Sequence, residues 1–178
     1  MELIVQKAVE LGASEIAPLI SEHTIVRLDE SEAIQKQAKW RQVAIEAAKQ
    51  SGQNWLPTIR RPEKIGDFFA KLGKLQPDGK AAASDWHRTR SLPQLRLIGS
   101  LQAEARHLKS VILDYEREHV RRPENVLICI GPEGDFTEAE LNLARQHGCC
   151  PITLGPIILR VETAAITCLS VLAYELLA

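Results

Sequence analysis

Two glycine–proline bends are the residues best suited to chemistry in this chain. The first, Gly131-Pro132-Glu133-Gly134, follows the apolar run from Val126 to Ile130. The second, Gly155-Pro156, follows Ile152-Thr153-Leu154 and leads through Ile157, Ile158 and Leu159 to Arg160, Glu162 and Thr163. Glycine adopts backbone angles closed to other residues and lets a ligand approach the main chain. Proline fixes one φ and stiffens the turn. Exposed N–H and C=O groups on such bends can read both the donor and the acceptor edge of an adenine. A phosphate site is a poor match: the chain has no G-x-x-x-x-G-K-[ST] and no G-x-G-x-x-G after a strand. Glu133 and Asp135 would repel phosphate and suit a positively charged ligand such as a sulfonium. Arg160, at the mouth of the second bend, is placed to steady a negative substrate. Its plainer role is a surface pair with Glu162, itself a helix-dipole acid. Gln50, Ser51, Gln53 and Asn54 offer uncharged hydrogen-bonding groups for a base or ribose, or simply a solvated helix terminus.

The elements that must position these residues alternate between strand and helix. A helical period over 2–11 puts Ile4, Ala8 and Leu11 on one face, widened by Val5 and Val9. Gly12 ends it, and Lys7 and Glu10 are spaced to pair. Residues 15–21 read as one short strand, with Pro18 marking an edge or bulge. Asp29 and Glu32 form a capping box for a helix to about residue 50, stopped by Ser51-Gly52. Ile34, Ala38, Arg41, Ile45 and Ala48 run along one line of it, with Val43, Ala44 and Ala47 beside them. A weak strand at 57–60, a helix at 64–72, a turn at 76–80 and a small-residue strand at 81–84 follow. The Ser84-Asp85 step is a third, weaker candidate loop on the same sheet edge. Residues 92–98 read as a strand and 101–119 as a helix. The continuous apolar run 125–130 is a parallel strand covered on both faces. Thr137 and Glu140 cap the next helix, which runs to His147. A strand at 151–154 and a helix from about Glu162 close the chain. This order predicts an α/β fold, with a mostly parallel sheet and helices on both faces. Ligands then bind outside the strand carboxyl ends, where both bends lie.

At 178 residues, 45% hydrophobic and 25% charged, the chain reads as one globular domain spanning 1–178. The net charge of −1 gives no global basic signature. A nucleic-acid partner would need local patches such as Arg60-Arg61, His87-Arg88-Thr89-Arg90 or Arg121-Arg122. The four cysteines lack zinc-ligand spacing, so no metal is expected. Cys129 and Cys168 read as small core residues, and Cys149 and Cys150 as residues entering a strand. No segment spans a bilayer and no signal peptide is evident, which makes the cytoplasm the expected location. The last helix is apolar nearly all round. Ile166, Leu169, Leu172, Ala173 and Leu176 cover one face, with Cys168, Val171 and Leu177 beside it. That predicts burial in a core or between subunits, and a homodimer through this helix and the first.

Four ordered stretches carry a resemblance. They run from Gln6 through Glu10 to Gly12, from Ile45 through Gln50 to Gly52, from Ile130 to Gly134, and from Leu154 through Arg160 to Ala164. Together they resemble the ribosomal RNA small subunit methyltransferase E family, which methylates N3 of a uridine in 16S rRNA. The resemblance implies a SPOUT-class fold with a carboxyl-terminal trefoil knot, S-adenosyl-L-methionine as methyl donor, a homodimer, and 16S rRNA in the small ribosomal subunit as partner. It places Gly131, Pro132, Glu133, Gly134, Leu154, Gly155, Ile158, Leu159, Arg160 and Thr163 around the cofactor. Arg160 would stabilise the developing uridinate, oriented by Glu162, and the proton would pass to Glu46, Glu133 or water. Gln50 and Gln53 would face the substrate.

The family pattern also differs from this chain. It carries a small PUA-like β-barrel RNA-binding domain ahead of the first helix, which these residues do not include. It has arginine where Ile157 stands, glycine where Asp135 stands and commonly arginine where Gln53 stands. A cofactor-binding module without productive RNA affinity, or a methyltransferase for another RNA such as tRNA, are the alternative expectations.

Overall fold

The computed structural model describes residues 1–25, 28–73 and 93–176. The expected turn at 76–80, the strand at 81–84, the Ser84-Asp85 loop and the His87–Arg90 patch lie outside the described residues. The chain divides into two compact units, one of residues 1–20, 24–64 and 159–178, the other of 21–23 and 65–158.

The first unit is built on helix α1 (Glu2–Glu10) packed against α2 (Glu30–Ser51) and the final helix α6 (Val161–Leu176). Gly12 follows α1 at φ 84°, the left-handed region in which a helix ends most readily on glycine. The Lys7–Glu10 pair forms at 2.8 Å. Strand β1 (Glu15–Ile16) pairs in parallel with β3 (Thr58–Ile59), and β2 (Leu19–Ile20) with β4 (Glu63–Lys64). The single strand expected at 15–21 is therefore two, and the break falls at Pro18. A proline has no N–H to offer a ladder, and the chain changes partner there: the Pro18 carbonyl instead accepts from Glu63 N at 3.1 Å.

Both ends of α2 follow local rules. Asp29 accepts from Glu32 N at 2.8 Å, Glu32 accepts from Asp29 N at 3.0 Å, and Gly52 closes the helix at φ 70°. Its buried face differs from the expected line. Ile34, Ala38 and Arg41 are exposed, whereas Trp40, Ala44, Ala47 and Ala48 are buried with Val5, Val9 and Ile59. Three alanines let α1 approach closely, so side-chain size as well as hydrophobicity selects the seam. In α6 the buried residues are Ala165, Cys168 and Leu172, a face rotated from the one expected through Ile166 and Leu169.

The second unit is a four-stranded parallel sheet in the order β6-β8-β5-β7, composed of β5 (Leu95–Gly99), β6 (Arg106–His107), β7 (Val126–Cys129) and β8 (Cys150–Thr153). Adjacent residues Leu97 and Ile98 point to opposite faces, and both are fully buried, so β5 is covered on both sides. Helices α3 (Ile65–Gly73), α4 (Leu108–His119) and α5 (Glu138–Gln146) supply cover, with Phe68, Phe69, Leu108, Ile112 and Leu141 buried. The expected helix at 101–119 begins only at Leu108, because residues 106–107 extend to pair with β8. Cys129, Cys149 and Cys168 are buried, and all four cysteines are free thiols. Burial pushes the Cys168 thiol up to about 12, as an inert core residue requires. No helix among the described residues is long and apolar enough to cross a membrane.

Candidate functional site

All four strands of the second unit run parallel, so their carboxyl ends share one edge. β5 is central, with β7 on one side and β8 on the other. Ile98 pairs with both Cys129 and Pro151, so β7 ends opposite the second residue of β8, and β8 runs two residues further to Thr153. At about 5 Å per strand the two bends are offset by about 10 Å across the sheet, with the segment after β5 between them.

The first bend is a tight turn in which the Pro132 carbonyl accepts from Asp135 N at 3.0 Å. Asp135 takes φ 58°, the left-handed conformation that a short polar side chain tolerates best after glycine. Its carboxylate accepts from its neighbour Phe136 N at 2.8 Å and from Leu101 N at 3.1 Å. Gly131 leaves little space: a Cβ there would stand 3.2 Å from Asp135 Oδ1 and from the Phe136 ring. Glu133 is exposed. Thr137 and Glu140 then form the capping box of α5, as their spacing predicts.

At the second bend Gly155 has φ 135°, and a Cβ there would meet no described atom within 4 Å. The Thr153 hydroxyl accepts from Gly155 N at 3.3 Å and donates to Gly155 O at 3.1 Å, which fixes the bend without filling that space. Leu154 is half-buried, while Ile157 and Ile158 are 75% and 73% exposed. The segment after β5 completes the edge and had no motif to announce it. Ser100 N donates to Ile152 O at 3.0 Å while Leu101 N reaches Asp135, so this segment ties β8 to the first bend.

His23 is a second contributor that the sequence does not reveal. Its Nδ1 lies 2.9 Å from Gly134 O and 3.0 Å from Asp135 O. Those carbonyls, Asp135 first, raise its pKa above the ordinary 6.5. The only sequence signal was a polar residue shortly after a strand.

The second unit thus brings Gly131, Pro132, Glu133 and Gly134 to one edge with Leu154, Gly155 and Ile158. Leu159, Arg160, Glu162 and Thr163 belong to the first unit, as do Gln50 and Gln53. Arg160 is exposed, and its carbonyl accepts from Ala164 N at 2.8 Å in the opening turn of α6. Among the described residues no ion pair joins Arg160 to Glu162. Gln50 is exposed. Gln53 has a structural bond: its amide nitrogen donates to Val9 O of α1. Glu46 pairs with Lys49 at 3.0 Å. Arg60, half of one expected basic patch, is instead buried between Glu15 at 3.4 Å and Glu63 at 3.6 Å. Arg122 of another patch pairs with Glu116 at 2.9 Å.

A family model described as the RNA methyltransferase domain matches residues 1–173. The chain belongs to that family. Among relatives, ribosomal RNA small subunit methyltransferase E of Bacillus subtilis is 30% identical over 175 residues, 98% of this chain and 61% of that protein. The protein of the same name from Mesomycoplasma hyopneumoniae is 30% identical over 168 residues, 93% of this chain and 60% of that protein. Solved structures agree. A Legionella pneumophila protein with the bound cofactor SAM superposes with a TM-score of 0.77 at 33% identity, covering 98% of this chain and 61% of that one. A ribosomal RNA small subunit methyltransferase E from Neisseria gonorrhoeae, bound to S-adenosyl methionine, gives 0.73 at 30% identity with the same coverage. This RNA methyltransferase domain therefore spans about three fifths of the length of these relatives.

Proposed function

We propose that the chain is the cofactor-binding and catalytic part of an S-adenosyl-L-methionine-dependent methyltransferase acting on N3 of a uridine in the 16S rRNA of the small ribosomal subunit. The observation that carries this reading is the pair of main-chain bends flanking β5 at the sheet's carboxyl edge, with no described atom within 4 Å of a Cβ placed at Gly155. The relatives' rRNA methyltransferase name and their SAM-bound structures support it.

The residues fit such a cofactor. Gly155 exposes main chain that a bulky ligand can approach, and the exposed Glu133 offers negative charge to a cationic sulfonium. S-adenosyl-L-methionine, when bound, supplies the activated methyl group. The bends around Gly131, Pro132, Gly134, Leu154 and Ile158 hold and orient, and positioning of this kind provides much of a transfer rate. Arg160, exposed at the start of α6 in the first unit, is the fixed positive charge that would offset the negative charge developing on uracil as N3 loses its proton. Leu159 precedes it in the chain, Thr163 lies in the first turn of α6, and Glu162 adds the helix-dipole acid.

The reading includes a SPOUT trefoil knot, a cytoplasmic location and a homodimer through α1 and α6. Support for the dimer is that α1 and α6 pack together while Leu3 and Tyr174 remain 47% and 77% exposed. The second reading, a module that keeps the cofactor but transfers little methyl to RNA, is favoured by Ile157, an exposed aliphatic residue where the family pattern has arginine. The deciding test is incubation with methyl-labelled S-adenosyl-L-methionine and small subunits lacking the modification. N3-methyluridine in digested 16S rRNA supports the enzyme. Cofactor binding without label in any RNA supports the module.

A further inference from the structure

We infer that His23 is a positioning residue: it clamps the first bend from outside by holding the backbone of Gly134 and Asp135 in the shape that binds the cofactor. This rests on the proposed cofactor role of that bend.

Three observations converge. His23 Nδ1 lies within hydrogen-bond distance of two consecutive carbonyls, Gly134 O at 2.9 Å and Asp135 O at 3.0 Å. Two acceptors facing one ring nitrogen require a proton on it, because a bare lone pair would be repelled by both oxygens. The side chain also lies flush on the turn: a Cβ at Gly134 would stand 3.2 Å from His23 Cβ and 3.3 Å from its Nδ1. Position 134 is therefore glycine on account of the imidazole above it, and not through its own φ. Finally, the segment bearing His23 is anchored separately. Glu22 N donates to Glu140 Oε1 at 2.9 Å, while Glu140 Oε2 accepts from Thr137 N at 2.9 Å in the α5 capping box. One buried carboxylate thus fixes both the end of the bend and the residue next to the clamp.

The clamp is sensitive to pH. A charged imidazolium donates more strongly than a neutral ring. The groups that act on it are Glu22 on its own segment, Glu140 on α5 and the Asp135 and Gly134 carbonyls. The Asp135 carboxylate is engaged by Leu101 and Phe136 N–H. Because the folded-state pKa is raised, the full contribution is present below the ordinary 6.5 and is lost as pH rises through the raised value.

The test compares parent protein with His23→Ala and His23→Asn, the latter placing a non-titrating N–H donor near Nδ1. Calorimetric titration with S-adenosylmethionine from pH 6 to 9 is paired with amide hydrogen exchange at Asp135 and Leu101. His23→Ala is expected to bind about three- to tenfold more weakly, in line with one or two lost hydrogen bonds, and to speed exchange at both amides. His23→Asn is expected to restore affinity and exchange while flattening the pH dependence. Parent-like affinity in His23→Ala, or parent-like exchange, overturns the inference. If the parent itself binds no cofactor, the functional proposal fails, and exchange alone decides whether His23 holds the bend.

Discussion

The Asp135 carboxylate accepts from the backbone N–H of Leu101 at 3.1 Å, across 34 residues of sequence. It joins the segment after β5 to the bend after β7, so two of the three segments that form the sheet edge are locked together by one side chain. The same residue has a left-handed φ of 58°, a conformation that costs an ordinary L-residue about 1–2 kcal/mol. A residue with no side chain avoids that strain but cannot make the bond.

Asp135 variants separate these two effects. Asp135→Ala keeps the strain and loses the bonds to Leu101 and Phe136, and should destabilise the protein by about 1–3 kcal/mol. Asp135→Gly relieves the strain and should fall between the parent and Asp135→Ala. Urea midpoints at constant m-value give the order. Asp135→Ala as stable as the parent would show that the Leu101 bond contributes nothing.

Val120 offers the opposite case. It follows α4 at φ 56° with its side chain 92% exposed, so a β-branched residue carries left-handed strain without packing in return. Val120→Gly should stabilise by about 1 kcal/mol, a rise in Tm of roughly 2–4 °C. An unchanged or lower Tm would contradict this.

The buried Arg60 is flanked by Glu15 and Glu63, with side chains 9%, 16% and 11% exposed. Removing it while keeping both carboxylates, as in Arg60→Met, should cost about 3–5 kcal/mol. Burial raises the Glu15 pKa above its ordinary 4.5, and the opposing pull of Arg60 is the smaller effect. A raised folded-state pKa means that Glu15 stabilises most below 4.5 and that this contribution is lost as pH rises through the raised value. Denaturation from pH 4 to 7 should show this fall in the parent and a flatter profile in Glu15→Gln.

What was legible in the sequence was mostly local. The capping boxes at Asp29 with Glu32 and at Thr137 with Glu140, and the stop at Gly52, depend on residues three positions apart or on one φ angle. The order of strands and helices, and the two bends, followed from patterns of similar range. The rest depended on partners. The seam of α2 follows Trp40 and three alanines because α1 closes against small side chains, and a hydrophobic period does not weigh size. The strand at Arg106 forms because β8 offers an open edge. The His23 clamp was invisible because it contacts backbone carbonyls 111 and 112 residues away, and a carbonyl has no sequence signature.

The proposed homodimer is tested by light scattering at micromolar concentration. A doubled mass is expected for the parent, and Tyr174→Glu, at a residue 77% exposed on α6, should shift it toward monomer. A monomeric parent would contradict the dimer.

The most direct measurement is calorimetric titration of S-adenosyl-L-methionine into the parent, Gly131→Val and Gly155→Val, with circular dichroism to confirm folding. A side chain at Gly131 crowds Asp135 and Phe136, and one at Gly155 strains φ 135° where no described atom lies within 4 Å of its Cβ. The parent should bind, and both folded variants should bind at least about tenfold more weakly, a loss of about 1.4 kcal/mol. A parent that does not bind, or folded variants that bind as the parent does, would contradict a cofactor site at these two bends.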